Sequence, residues 1–469
     1  MIAALWALPI LAVVGLIGSG RAGTFGAGAC GAVLALAVGL AAAPLPFGAA
    51  EAALAVARGT WLAWLVALVI LGGLFFREAV ASGPVAVAGT RRGRLFTACF
   101  LAGPFTECAT GFGVGQVATA GAVQALGVAP GHAVVLGLFS QTLVPWGALA
   151  IGTVVGAELS GVPAALLGRN CAILTAPLLL AWLMLFWRMA AAAGVPGTAR
   201  DRAGEAAWLL AVAGLLVGAN IMLGLEVAGL AALGPLVLLR FAAGRPDRAG
   251  WRAGVRAGLP YAALTLGLAL SRGVPAVRDL LGAVALRPVP GGPAWAVLLH
   301  PGTWLVVTAL AFSQPGRWGP VARGAWARGR APVLAILAFL VLAQVMLDAG
   351  IAAALSGRLV AGLGPAAALA TPVLAWLFGA VTSSGNAANG LLMPGQAALA
   401  GAAGLSLPWL AAVQCVSAGA GTMLSPVRVA MGCALVGAPQ GERAIYARAW
   451  PLGAAALGVM LGAAVWVTW

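Results

Sequence analysis

Twelve apolar runs dominate this chain, near 2–19, 24–44, 54–76, 131–157, 169–191, 206–224, 226–243, 255–272, 294–312, 331–353, 408–437 and 446–469. A helix needs ~20 apolar residues to cross the hydrocarbon core of a bilayer. A chain built by repeating that unit is bounded to one class, the polytopic all-α membrane proteins. Only 8% of the residues are charged against 62% hydrophobic, whereas a soluble domain carries about 25% charged residues. There is too little polar surface to face water, so lipid must cover most of the exterior. The 68 glycines and 28 prolines fit the same reading, because both residues are commoner in membrane helices than in soluble ones.

The net charge of +15 comes entirely from arginine, since the chain has no lysine. The arginines sit in the short gaps between apolar runs. That placement points to the positive-inside rule and away from nucleic acid. Six cysteines lie in or beside apolar runs without paired spacing, and the only histidines are His132 and His300. Neither a disulfide framework nor a metal site is expected. The first run has no basic segment ahead of it and no cleavage site followed by a soluble domain, so it reads as a retained span.

Two further segments, about 95–126 and 372–403, are apolar but interrupted by Gly, Pro and polar residues. Each reads as a hairpin that enters the membrane and returns on the same side. Each is followed by a Gly-x-Pro-type turn, a Gly-rich helix and a final helix. The offset between the two series is nearly constant: Thr106 and Ser383, and Gly127 and Gly404, are 277 positions apart, and Pro130 and Pro408 are 278 apart. If both segments are re-entrant, six arginines (58, 169, 272, 278, 287 and 358) face one side, Arg428 lies within a span, and the other nineteen face the opposite side. A hairpin that crossed instead would destroy this bias. The expectation is two inverted repeats, 1–192 and 193–469, each with one hairpin. Broken helices at the midplane of inverted repeats are how alternating-access transporters build their sites.

Charge inside the membrane costs at least ~2.5–3.5 kcal/mol per group, so Glu107 and Arg428 stand out. Glu107 lies within the first broken segment, and Arg428 within the apolar run 408–437. A buried glutamate can load and release a proton. A guanidinium stays charged and grips a carboxylate through two parallel hydrogen bonds. Mutual neutralisation is the plainer alternative. Thr110, Gly111, Gly113, Ser383, Ser384, Asn386 and Asn389 belong at or near the two hairpin tips, where free N–H groups and polar side chains can meet an anion. Gln141 precedes Pro145, which should break its helix. Ser425 holds the equivalent place in the second half. Helix packing is the alternative use of such residues. Glu158 and Glu226 read as helix-end groups, and Asp348 as either a polar helix end or a coupling carboxylate. No P-loop, GxSxG elbow or paired catalytic carboxylates are present, so ATP-driven pumping and catalysis have no support.

At these segments the chain resembles the L-lactate permease family of bacterial carboxylate transporters. Glu107–Gly113, ECATGFG, is similar to that family's EGAAGFG stretch, and Trp146-Gly147-Ala148 to its FGA. Ser383–Gln396 is similar to its GSDTSSN stretch and the glutamine beyond it. Gly421–Pro426, GTMLSP, is similar to GKMISP, and Val436-Gly437 with Gly441-Glu442 continue the match. The resemblance covers roughly 100–160 and 375–450. The chain departs from the pattern at Gly385, where the family has Asp, and at Thr422, where it has Lys. Arg428 appears where the pattern is uncharged, and Ser140-Gln141 replaces Asn-Thr.

The resemblance implies proton-linked symport of lactate or glycolate. The expected molecule therefore has about 12 spans and two re-entrant hairpins and sits as a multi-pass protein in a bacterial inner membrane. Glu107 would couple a proton, and Arg428 with the tip residues, Gln141 and Ser425 would contact a small organic anion. No cofactor is expected. Other organic anions such as sulfonates, sodium coupling, uncoupled export and an anion channel remain as rivals.

Overall fold

The computed structural model describes residues 2–80, 89–437 and 441–469. It is an all-α polytopic membrane fold, 84% helical. Among the described residues, ten helices are long and apolar enough to cross a membrane, or eleven when the bent pair Pro130–Gln141 and Val144–Ser160 counts as one span. Among the described residues the only strands are Ala285–Leu286 and Trp295–Ala296, paired antiparallel.

The longest contact in the bundle is between Ala49–Ala79 and Trp318–Asp348. Their direction is fixed by two ion pairs. Arg328 Nη2 lies 2.8 Å from Glu78 Oε1 near one end, and Arg58 Nη1 lies 3.0 Å from Asp348 Oδ2 towards the other. The helices therefore run antiparallel. They approach so closely at Gly59 that a Cβ there would stand 2.6 Å from Val341 Cα. Without a hydrophobic force between helices in lipid, such small-residue contacts supply the packing.

Both interrupted segments fold back on themselves. In the first, a helix Arg91–Thr97 passes through a π turn, Ala98–Ala102, into Gly103–Thr110. Pro104 explains the irregular turn, since its ring lacks an N–H and crowds the preceding carbonyls. The chain reverses at Gly111, Phe112 and Gly113, with φ of 68°, 57° and 76°, and leaves along Val114–Ala125. The return is to the same end. Arg91 Nε donates to Leu126 O at 2.8 Å and its Nη2 to Gly127 O at 3.2 Å. Midway, Thr119 Oγ1 donates to Ala98 O at 3.2 Å.

The second hairpin runs down Ala370–Thr382, turns at Ser383 (φ 57°) and leaves along Gly385–Ala403. Taken whole, Ile351–Thr382 is long and apolar enough for a span, yet it does not run straight. Ser356 Oγ donates to Gly395 O at 2.8 Å, and Thr371 Oγ1 lies 2.7 Å from Gln396 Oε1. Positions 356 and 371 therefore meet the same turn of the outgoing leg.

The expected span 294–312 is corrected. Only Pro301–Ala311 is helical, about 16 Å at 1.5 Å per residue, roughly half a hydrocarbon core. The remainder, 294–300, holds the strand Trp295–Ala296 and the turn that leads to Pro301, while the Pro- and Gly-rich loop ahead of it, joining the two strands, lies along the neighbouring helix. Trp61 Nε1 donates to Pro293 O at 2.8 Å, and Arg58 Nε to Pro290 O at 2.8 Å. His300 is not inside a span but caps the short helix, its Nδ1 accepting from Gly302 N at 3.2 Å. The apolar run there is real, but 295–296 pair as a strand, 297–299 turn, and the helix starts only after them at Pro301, a first-turn position that suits proline. The first run also forms a shorter helix, Ile2–Gly18.

Candidate functional site

Four interruptions of helical structure meet at one cavity of about 300 Å³. The first is the tip of the first hairpin, which contributes Glu107, Gly111 and Phe112. The second is the tip of the other hairpin, which contributes Thr382, Ser383, Ser384, Gly385 and Asn386. The third is the break after Gln141, which contributes Val144, Pro145, Gly147 and Ala148. The fourth is the break ahead of Pro426, with Gly419 before it and Val427 and Arg428 after it. Irregular backbone at membrane depth survives where it lines a cavity, because groups freed from the helix need polar neighbours.

The third break is the most distorted. Two short 3₁₀ turns, Leu138–Gln141 and Val144–Trp146, lead into Ala148, Leu149 and Ala150, whose φ values are 47°, 54° and 60°. Left-handed backbone costs an L-residue about 1–2 kcal/mol, so this turn persists only because its surroundings hold it. Thr153 Oγ1 donates to Pro145 O at 2.6 Å across the turn. Gly111 packs so near that a Cβ on it would lie 2.6 Å from Ala148 Cβ.

Glu107 and Arg428 face each other across the cavity. Arg428 Nη2 is 3.8 Å from Glu107 Oε1, and both residues are buried. Glu107 Oε1 accepts from Gly113 N and Oε2 from Gly115 N, each at 3.0 Å. The carboxylate thus caps the outgoing helix of its own hairpin, opposite charge to positive helix end. Arg428 occupies the first turn of Pro426–Leu435, where Ser425 Oγ accepts its backbone N–H at 3.4 Å. Gln116 Nε2 donates to Arg428 O at 2.9 Å and so ties the first hairpin to this turn. Arg428 Nη1 is buried without a hydrogen-bond partner, and so is Ser383 Oγ. Leaving a buried charged donor unpaired is costly. Both residues line the cavity, so a guanidinium N–H and a hydroxyl there are free to meet a polar group.

The site residues expected from sequence divide clearly. Glu107, Gly111, Ser383, Ser384, Asn386, Asn389 and Arg428 line the cavity. Thr110, Gly113, Gln141 and Ser425 do not. Thr110 Oγ1 donates to Thr106 O at 2.8 Å within its own helix. Gly113 serves Glu107 through its N–H. Gln141 turns away, its Nε2 on Ser140 Oγ at 3.0 Å, and Ser425 is a helix cap. Asn389 is partly committed, with Nδ2 on Gly152 O at 2.9 Å. Asp348 belongs to the ion pair with Arg58, and Glu226 pairs with Arg272 at 2.9 Å. Sequence reasoning passed over Phe112, Thr153, Thr382 and Cys415 on the cavity wall. Only Phe112, between two glycines, carried a signal. Among the described residues no group of three or more His, Cys, Asp or Glu could hold a metal ion.

Among curated proteins none matches the chain. The resemblance seen in its motifs is upheld by a family model. The matched stretch contains the second hairpin, Arg428 and its break, and stops short of Glu107's half. Residues 297–449 match the model described as L-lactate permease, so this stretch is similar to that family, and the chain is a multi-pass membrane protein.

Proposed function

We propose that this protein is a secondary transporter for a small monocarboxylate such as L-lactate or glycolate, driven by a proton gradient through alternating access in a bacterial inner membrane. The observation that carries the reading is the pairing of the buried Glu107 and Arg428 at a cavity where both hairpin tips converge. The substrate carboxylate takes the free Nη1 of Arg428 and the Ser383 hydroxyl. Asn386 offers an amide to the substrate hydroxyl. Binding places a second anion beside Glu107, and like charges in a low dielectric repel strongly. A proton taken up at Glu107 relieves that repulsion. Protonation makes one of the two oxygens a hydroxyl and so a weaker acceptor for Gly113 or Gly115, which loosens the hold on the hairpin tip as the proton loads. Occupancy and conformation are linked in this way. We propose further that 1–192 and 193–469 are inverted repeats whose hairpins enter from opposite faces, and that substrate passes between them.

One observation favours a second reading. Both Glu107 oxygens already have backbone partners, so the carboxylate can serve as a fixed counter-charge for Arg428. Carriage would then be sodium-linked or uncoupled, and a sulfonate would suit the guanidinium equally. Uptake of labelled lactate, glycolate and a small sulfonate into proteoliposomes separates these. Accumulation only with an inward proton gradient supports proton symport. Accumulation driven by sodium alone supports the second reading. No uptake of any small anion refutes both.

A further inference from the structure

A second cavity, of about 500 Å³, lies away from the central one, where three helices end together. Its walls come from the first turns of Pro130–Gly137, the last turns of Ala164–Ala192 and the second turn of Glu442–Thr468. Leu185 and Met189 give it an apolar floor, backed by the buried Val135 and Leu136. His132, Arg188, Arg448 and the indole of Trp450 stand around it, and no acidic residue lines it. Trp450 is 62% exposed, and both arginines are exposed as well. Among the described residues neither Arg188 nor Arg448 has an acidic partner within ion-pair distance. Arg448 Nη1 reaches only the carbonyl of Ala444, at 3.3 Å. It also lies close over Gly131, where a Cβ would stand 3.5 Å from it. The pocket is on the end of the bundle that carries Arg91, since Arg91 bonds Leu126 and Gly127 just ahead of Pro130.

We propose that this pocket binds one anionic phospholipid, its headgroup phosphate between Arg188 and Arg448 and the upper part of an acyl chain on the apolar floor. Two guanidiniums without counter-ions match a phosphate. Apolar lining beside two arginines and an exposed tryptophan matches an amphiphile and not a free anion. A soluble organic anion would gain nothing from Val135, Leu136 and Leu185. The site is separate from the transport cavity and shares no residue with it.

The test uses the full-length protein in detergent, with thermal stability read as dioleoylphosphatidylglycerol, dioleoylphosphatidylcholine or glycerol 3-phosphate is added, and bound lipid counted by native mass spectrometry. Phosphatidylglycerol should raise Tm and be retained on the protein, phosphatidylcholine should do neither, and glycerol 3-phosphate should have no effect. Arg188→Gln with Arg448→Gln should weaken phosphatidylglycerol binding by about thirtyfold, at roughly a factor of five per arginine. Arg188→Lys with Arg448→Lys should restore part of the binding, which separates lost charge from lost folding. Equal stabilisation by both lipids overturns the proposal. So does an unaltered phosphatidylglycerol effect in the glutamine variant, or an equal response to glycerol 3-phosphate.

Discussion

Replacing Glu107 by glutamine keeps the shape of the side chain and changes two things that the geometry makes separable. The glutamine amide has one acceptor oxygen where the carboxylate has two, so either Gly113 or Gly115 loses its partner. A buried N–H left without an acceptor costs about 1–3 kcal/mol. The second loss is the attraction to Arg428 at 3.8 Å, of order 4 kcal/mol before solvation is counted, at an effective dielectric of 20. A buried charge stripped of its partner typically costs about 3–5 kcal/mol in all. Glu107→Gln should therefore be markedly less stable than the native protein. Adding Arg428→Gln removes the stranded charge and leaves only the orphaned N–H, so the double variant should recover most of the deficit. Unfolding in detergent at a fixed scan rate, followed through the tryptophans, ranks native, double and single variant in that order. A single variant as stable as the native protein, or less damaged than the double, would show that the two groups are not electrostatically joined.

Other residues yield simpler tests. Ser383→Ala removes a hydroxyl that has no partner, so stability should stay within about 1 kcal/mol while apparent substrate affinity in uptake assays falls about tenfold, a lost polar contact's worth. Gly111→Ala brings a Cβ to 2.6 Å of Ala148 at a φ of 68°, and should cost about 1–3 kcal/mol of stability along with most transport. Arg92→Met strands Glu205, which it holds at 2.7 and 2.8 Å. It should cost about 3–5 kcal/mol, and Arg92→Met with Glu205→Met should restore much of that in a denaturation series.

The sequence was most legible where charge and apolar length agree. Glu107 and Arg428 were conspicuous because a charge in an apolar run has few uses, and the structure brings them to one cavity. The hairpins were readable from Gly111-Phe112-Gly113 and Ser383-Ser384-Gly385, where no regular helix can continue. Their exact feet, Arg91 and Ala370, were not, since arginines 91, 92 and 94 read as a loop and a 3₁₀ turn, Gly364–Leu369, runs straight into the second leg. The left-handed turn at Ala148–Ala150 left no trace in sequence, because alanine and leucine are good helix formers and only tertiary contacts impose that backbone. Gln141 misled for a related reason. Pro145 does break the helix, but a broken helix does not say which way a side chain turns. The run 294–312 failed because hydropathy alone cannot tell a helix from an apolar loop resting on its neighbour.

A guanidinium that joins both feet of a hairpin has a mechanical result. With Arg91 fastened to Leu126 and Gly127, neither leg can slip lengthwise past the other, so slack cannot be drawn in from the water-facing end to relax a disturbed tip. Whatever displaces Gly111 or Phe112 must either bend the legs sideways or carry the whole element along as a wedge. Severing that clasp would let the tip drift without touching any group that meets the cargo.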